Sequence, residues 1–363
     1  MEKILFLSFL VVSVIQLFYL LIYSKLSFYH HKKGVFKDPI SVIICGYNEF
    51  ENLKVLIPKL LEQEYQNYEI VIVNDQSTDE TKYLLKKYEN NSIIKTVNIN
   101  HEVTKRIGKK FPLTLGIKAA KYDYLLLTDA DCIPKNNQWI SKMVEKFSNK
   151  KQIVLGYGAY KKKKGILNKL IRFDTYIVAM QYLSYALIGL PYMGVGRNLA
   201  YKKSLFFDNK GFSSHLNIPS GDDDLFIKDV SNSNNVSIVF ENSGHTISEP
   251  KLTWVEWLNQ KKRHLTTSSY YNFSHKFLLF LYSLSQILFW FLSILILLKY
   301  GYSIELVSIV TLRFSFQFLI YYKIMSKLGE SDLIWLFPIL EFFHILTQVF
   351  FVFSNLFNRK KNW

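Results

Sequence analysis

Ser41-Val42-Ile43-Ile44-Cys45 (SVIIC) and Tyr68-Glu69-Ile70-Val71-Ile72-Val73-Asn74 (YEIVIVN) decide the fold of this 363-residue chain. Both are short runs rich in β-branched residues. Between them, Asn52–Glu62 spaces Leu53, Leu56, Leu60 and Leu61 along one face of a helix. Working outward, Thr81–Tyr88 reads as a helix, Ile93–Ile99 as a strand, Leu113–Ala120 as a helix and Tyr124–Thr128 (YLLLT) as a strand. Strand, helix, strand in units of roughly thirty residues predicts an α/β domain with a mostly parallel central sheet and right-handed crossovers. Ligands of such sheets sit beyond the carboxyl ends of the strands. Asn48–Glu49, Asn74–Asp75 and Asp129–Asp131 all fall just past strand ends.

The two ends of the chain are different in kind. Ile4–Tyr23 is an uncharged apolar run, long enough to cross ~30 Å of hydrocarbon as a helix. Lys25, His30, His31, Lys32 and Lys33 follow it in place of a small-residue cleavage site, so an anchor over residues 1–25 is expected, with the downstream side cytosolic. Phe277–Leu298 and Ile304–Ile320, the latter containing Arg313, read as further spans. Leu333–Phe357 is interrupted by Pro338 and Glu341 and is expected to be interfacial or re-entrant, which keeps the tail's Arg359, Lys360 and Lys361 in the cytosol. Residues 275–357 thus form a C-terminal membrane region, and residues 38–265 a cytosolic domain. Within that domain Ile166–Leu190 is expected to lie on the bilayer surface, with Lys169 and Arg172 among the headgroups. The net charge of +16, from 45 Lys+Arg against 29 Asp+Glu, beside these apolar ends points to anionic lipid as partner and not to nucleic acid. Cys45 and Cys132 suggest neither a disulfide framework nor a zinc site, which suits a reducing compartment.

Asp129-Ala130-Asp131 closes the YLLLT strand. Two carboxylates one residue apart can hold a hard cation that bridges diphosphate oxygens. In Val73–Asp79 (VNDQSTD), Asp75 can accept hydrogen bonds from a base or ribose, while Ser77–Asp79 opens the next helix as a cap. Lys109, in Gly108-Lys109-Lys110, brings positive charge to a helix start where a phosphate can sit, or else belongs to a solvated turn. Gly221-Asp222-Asp223-Asp224 sets three carboxylates before an apolar helix. Like charges so close raise at least one pKa, as a general base requires. Gln260–His264 (QKKRH) lies on a Trp-rich helix, Trp254–Leu265, where basic residues can meet a departing diphosphate or grip lipid headgroups.

Taken in order, SVIICGYNE, VNDQSTDET, IGKK, LLTDADC, GVGRN, SGDDDL and QKKRH resemble glycosyltransferase family 2, over roughly Pro39 to His264. The resemblance implies a GT-A fold flanked by transmembrane helices, and a site that binds a nucleotide-sugar donor, a UDP-sugar in the first instance, with Mg or Mn. It implies that Asp75 contacts the base or ribose, that Tyr47 to Glu49 line the nucleotide pocket, and that Asp131 binds the metal with Asp129 nearby. Lys109, Gln260 and Arg263 join Tyr47, Glu49, Asp75 and Asp129 as expected donor contacts. Asp222 aligns with the family's catalytic base, with Asp223 as its substitute. Asn74 stands where an aspartate is frequent. Gln260–His264 is similar to the Gln-x-x-Arg-Trp motif of processive synthases, and His264 in place of the Trp argues against processivity. The activity so implied is inverting transfer to a hydroxyl of a lipid or lipid-linked glycan at the cytosolic face of the cell (inner) membrane. Its rivals are a processive polysaccharide synthase and a non-enzymatic membrane scaffold that keeps a nucleotide-binding fold.

Overall fold

A computed structural model of the chain describes residues 2–30, 34–100 and 108–357. His31–Lys33 and Asn358–Trp363, on which two of the charge arguments rest, and Ile107 of IGKK lie outside the described residues. The order begins α1 (Glu2–Phe28), β1 (Ile40–Gly46), α2 (Phe50–Leu61), β2 (Tyr68–Asp75), α3 (Thr81–Lys86), β3 (Ile94–Ile99), α4 (Lys110–Ala119) and β4 (Tyr124–Asp129). It continues β5 (Cys132–Pro134), α5 (Trp139–Val144), β6 (Ile153–Leu155), β7 (Gly158–Tyr160), α6 (Ile166–Leu187), β8 (Leu199–Lys202) and α7 (Lys203–Asp208). The remainder is α8 (Asp224–Val230), β9 (Val236–Ile238), β10 (Thr246–Ser248), α9 (Trp254–Ser268), α10 (Phe273–Tyr300), α11 (Ile304–Leu328) and α12 (Phe337–Phe357).

These elements divide into two compact units, an α/β unit over residues 31–163 and 185–271, and a helical unit from the rest. In the α/β unit a seven-stranded sheet runs β3-β2-β1-β4-β8-β6-β9. Strands β1 to β4 pair in parallel, and β8 enters antiparallel to β4. Val42 and Ile44 in β1 and Ile70 to Val73 in β2 are buried, as sheets covered on both faces demand. Helix α2 lays Leu53, Leu56, Ile57 and Leu60 into the same core. Helix α4 comes close enough that a Cβ at Gly116 would stand 2.9 Å from Ile43 and Val73, so only glycine lets it seat there. A second, three-stranded sheet, β5-β10-β7, lies in the same unit. Its strands are three residues each, too short to carry a legible period.

The helical unit departs from the sequence expectation at α6. Residues 164–184 group with the terminal helices and not with the α/β unit. Ile177 is only 2% exposed, so it faces protein, not lipid. Arg172 does not reach headgroups either. It is buried, donating from Nε to Glu330 at 2.8 Å and from Nη1 to Asp332 at 2.9 Å. Both partners lie some 160 residues downstream, so no local pattern announces them.

Helix α12 accommodates both residues that interrupt it in the sequence. Pro338 sits in its first turn, where a missing N–H costs nothing. Glu341 is 1% exposed and faces Arg313, 2% exposed, at 3.0 Å. Gln286 and Gln317 donate to the same carboxylate at 2.8 and 2.9 Å, and Arg313 also donates to Gln16 at 3.1 Å. The charge that argued against a crossing is thus compensated inside the helical unit. Among the described residues, four stretches are long and apolar enough to cross a membrane: Lys3–Phe28, Phe273–Tyr300, Ile304–Leu328 and Ser331–Phe351. Removing one partner of a buried pair strands the other, at a cost of about 3–5 kcal/mol. Glu341→Ala is therefore expected to lower the unfolding midpoint in detergent far more than the paired change Arg313→Leu with Glu341→Leu. Equal losses from the two would count against a compensated pair.

Candidate active site

Parallel pairing brings the functional strand ends side by side. In register, Cys45 faces Asp129 across β1 and β4, and Gly46 faces Asn74 across β1 and β2. Asn74 is buried and donates to Asn98 at 3.0 Å, and Asp75 is buried at the end of β2. The loops beyond are tied to each other. Asn48 N donates to Ser77 Oγ at 2.9 Å, Thr78 N to Asn48 Oδ1 at 2.8 Å, and Phe50 N to Asp79 at 3.1 Å. Asp79 accepts from Thr81 N at 3.0 Å at the start of α3, whereas Ser77 does not cap that helix, and both fix the Tyr47–Glu49 loop against the end of β2. Asn48 and Gln76 hold positive φ angles of 55° and 60° in these turns, a conformation that asparagine tolerates better than most residues.

Asp129 is paired with Lys109. Burial would raise its carboxyl, but Lys109, with Arg197 and Arg263 behind it, holds it below the usual carboxylate range. Asp131 is exposed, and Cys132 beside it is buried. The ligand atoms of Asp129, Asp131 and Cys132 lie within 4.8 Å of one another. Glu49 is raised by burial, to which the charges of Asp131 and Asp129 add. The two carboxylates, Asp131 exposed and Asp129 half-buried, offer oxygen ligands of the kind Mg or Mn takes, in a field of crowded negative charge. Since Lys109 engages Asp129, Asp131 is the carboxylate better placed to receive the ion.

The triple acid divides its labour. Both oxygens of Asp223 are engaged by backbone, accepting from Gly196 N and Asp224 N, each at 2.7 Å. Asp224 accepts from Leu225 N and Tyr271 OH, both at 2.8 Å, and from Thr267 Oγ1, so it ties α8 to the end of α9. Burial, with the Asp223 charge adding, pushes Asp222 up to about 6 against the pull of Lys109. A base must be deprotonated to act, so turnover is expected to fall as pH drops through about 6, about tenfold per unit below it. A pH profile of turnover checks this, and a flat profile down to pH 4.5 would exclude Asp222 as the base.

Helix α9 opens on a capping box between Thr253 and Glu256 and carries the QKKRH residues. Arg263 is exposed, yet close enough for its charge to act on Asp129. Gln260 donates its amide to Tyr160 OH at 3.1 Å. The structure also brings in residues that the sequence left without a role. Arg197 of GVGRN lies over the Tyr160 ring at 4.3 Å. Tyr201 is buried, with its hydroxyl raised by burial and by the nearby charge of Asp222. The order of the motifs hinted at Arg197; nothing local hinted at Tyr160.

Residues 41–207 match the model of Glycosyl transferase family 2. The chain carries a family 2 glycosyltransferase domain. Poly-beta-1,6-N-acetyl-D-glucosamine synthase of Staphylococcus epidermidis is 32% identical over 135 residues, 37% of this chain and 32% of that protein. The synthase of the same name from Staphylococcus aureus strain COL is 31% identical over an equal length. The chain spans about a third of the length of the curated relatives it matches. Among solved structures, the mannosyltransferase PcManGT from Pyrobaculum calidifontis, in complex with GDP-Man and Mn2+, aligns at a TM-score of 0.60 and 13% identity. That alignment covers 92% of this chain and 96% of the other, and establishes a shared GT-A fold. The family 2 match ends before Asp222 and Gln260–His264.

Proposed function

We propose that this chain transfers a sugar, with inversion, from a nucleoside-diphosphate donor to a hydroxyl of a lipid or lipid-linked glycan at the cytosolic membrane face. The observation that carries the reading is the meeting of donor-side and acceptor-side charges at one lysine. Lys109 is raised by Asp129, from the end of β4, and by Asp222, from the approach to α8, although its burial opposes this. Asp75 and the Tyr47–Glu49 loop would hold the nucleoside. Asp222 would take the proton of the acceptor hydroxyl as it attacks the anomeric carbon on the side opposite the diphosphate. Lys109 and Arg263 would stabilise the charge that gathers on the departing diphosphate. Asp131, with Asp129 and Glu49 nearby, would hold Mg or Mn, which supplies Lewis-acid stabilisation of the same phosphates. PcManGT, bound to GDP-Man and Mn2+, supports a donor with a metal but not its base or sugar.

The membrane-sized helices support a lipid-borne acceptor. The synthase relatives favour a second reading, polymer extension with an N-acetylglucosamine donor. Purified protein in detergent, supplied with a panel of nucleotide sugars and a lipid extract, tests both. Release of nucleoside diphosphate that depends on one donor and on lipid is expected. No release from any donor by folded protein would sink the proposal, and a ladder of product lengths would favour the polymer reading.

A further inference from the structure

The turn Gly194–Asn198 leads into β8, whose antiparallel register places Leu199 opposite Leu127 of β4. Just before that strand, Arg197 lies close enough to Asp129 for their charges to act on each other. Its backbone is pinned there: the Arg197 carbonyl accepts from Thr128 Oγ1 at 3.0 Å and from Thr246 Oγ1 at 2.9 Å. The next residue, Asn198, is buried and fully engaged, accepting from Trp139 Nε1 and donating to the carbonyls of Tyr157 and Gly244. The side chain of Arg197 is then laid flat over the small sheet. Its guanidinium stacks 4.3 Å from the Tyr160 ring centre and donates from Nη1 to Ser248 Oγ at 3.3 Å. Gly158 lies beneath, where an added Cβ would come within 3.1 Å of the arginine's own Cβ.

Among the described residues these side-chain partners are both neutral. Asp129, whose charge acts on Arg197, is already paired with Lys109. A guanidinium has five donors in a rigid fork suited to phosphate oxygens. One engaged N–H leaves most of that fork available, on a cation fixed in direction by backbone, ring and hydroxyl. The same hydroxyl reaches the metal side, because Ser248 Oγ lies 2.9 Å from Cys132 Sγ, which donates to Asp131 at 3.3 Å.

We propose that Arg197 binds the donor's β-phosphate, fixed on its Tyr160 shelf. The inference rests on the donor reading above and assigns it a residue outside the lysine and arginine already placed on the diphosphate. Phosphate recognition by a fork predicts a loss confined to ligands that carry the second phosphate. The test measures binding of UDP and GDP, and of UMP and GMP, to the full chain in detergent, with Mn and with chelator. Arg197→Gln is expected to weaken the diphosphate that binds best by about 10- to 100-fold, and its monophosphate by less than about twofold. Arg197→Lys, which keeps the charge without the fork, is expected to fall between. A structural role alone would lower the unfolding midpoint and weaken both ligand classes together. Wild-type preference for diphosphate retained in both variants overturns this proposal alone. Wild-type protein with no such preference overturns the donor reading, and this proposal with it.

Discussion

Asp222→Asn is expected to reduce turnover by roughly 10²–10⁴-fold, the range that general-base catalysis supplies. The substitution keeps size and polarity but removes the capacity to accept a proton. Donor affinity should hold, because Asp75, Lys109 and Asp131 are the residues proposed to bind the donor. The neighbours make the comparison sharp. In Asp223→Asn one backbone N–H, of Gly196 or of Asp224, loses its acceptor, so the damage falls on the GVGRN turn or on the start of α8. Loss of a helix cap typically costs about 1 kcal/mol, a change in stability more than in chemistry. Asp224→Asn weakens the tie to Thr267 and Tyr271 and should loosen α9. Turnover, donor binding and unfolding midpoint, measured for each variant, separate the three. If Asp223→Asn is the inactive one while Asp222→Asn turns over normally, the base has been assigned to the wrong carboxylate.

Asp131→Asn is expected to cost at least about 100-fold in activity, since Lewis-acid stabilisation by a bound ion is worth several kcal/mol. Asp129 cannot stand in easily, because its carboxylate is paired with Lys109. Activity should likewise vanish in excess chelator and return on adding Mg or Mn. In the Asn variant, a higher Mn concentration should restore part of the rate, as expected of a weakened ligand set. Full activity of wild-type protein in chelator would remove the metal from the reaction altogether.

The alternation of strands and helices from Pro39 to Asp131 was legible because each unit is local. β-Branched runs, a 3.6-residue apolar spacing and acids at strand ends all appear within windows of a few turns. The apolar ends were legible for the same reason, since a helix long enough to cross hydrocarbon declares itself by composition. What escaped were contacts between residues distant in the chain. Arg172 is expected among headgroups and Glu341 to interrupt a span, yet each is buried because its counter-charge arrives from a distant helix or turn. The three-residue strands β5, β7 and β10 have no period of their own, yet they build the shelf on which Arg197 lies.

The triple acid marks the division most plainly. The sequence by itself determined that carboxylates would cluster before a helix, at the end of an α/β domain whose ligands gather at the strand ends. Burial raises all three carboxyls, so only the tertiary structure decided which are spent on backbone N–H groups and hydroxyls and which is left beside Lys109. Hydrogen-bond partners and desolvation are properties of the folded surroundings. Three identical side chains in a row cannot be told apart until Gly196, Tyr271 and Lys109 are brought against them.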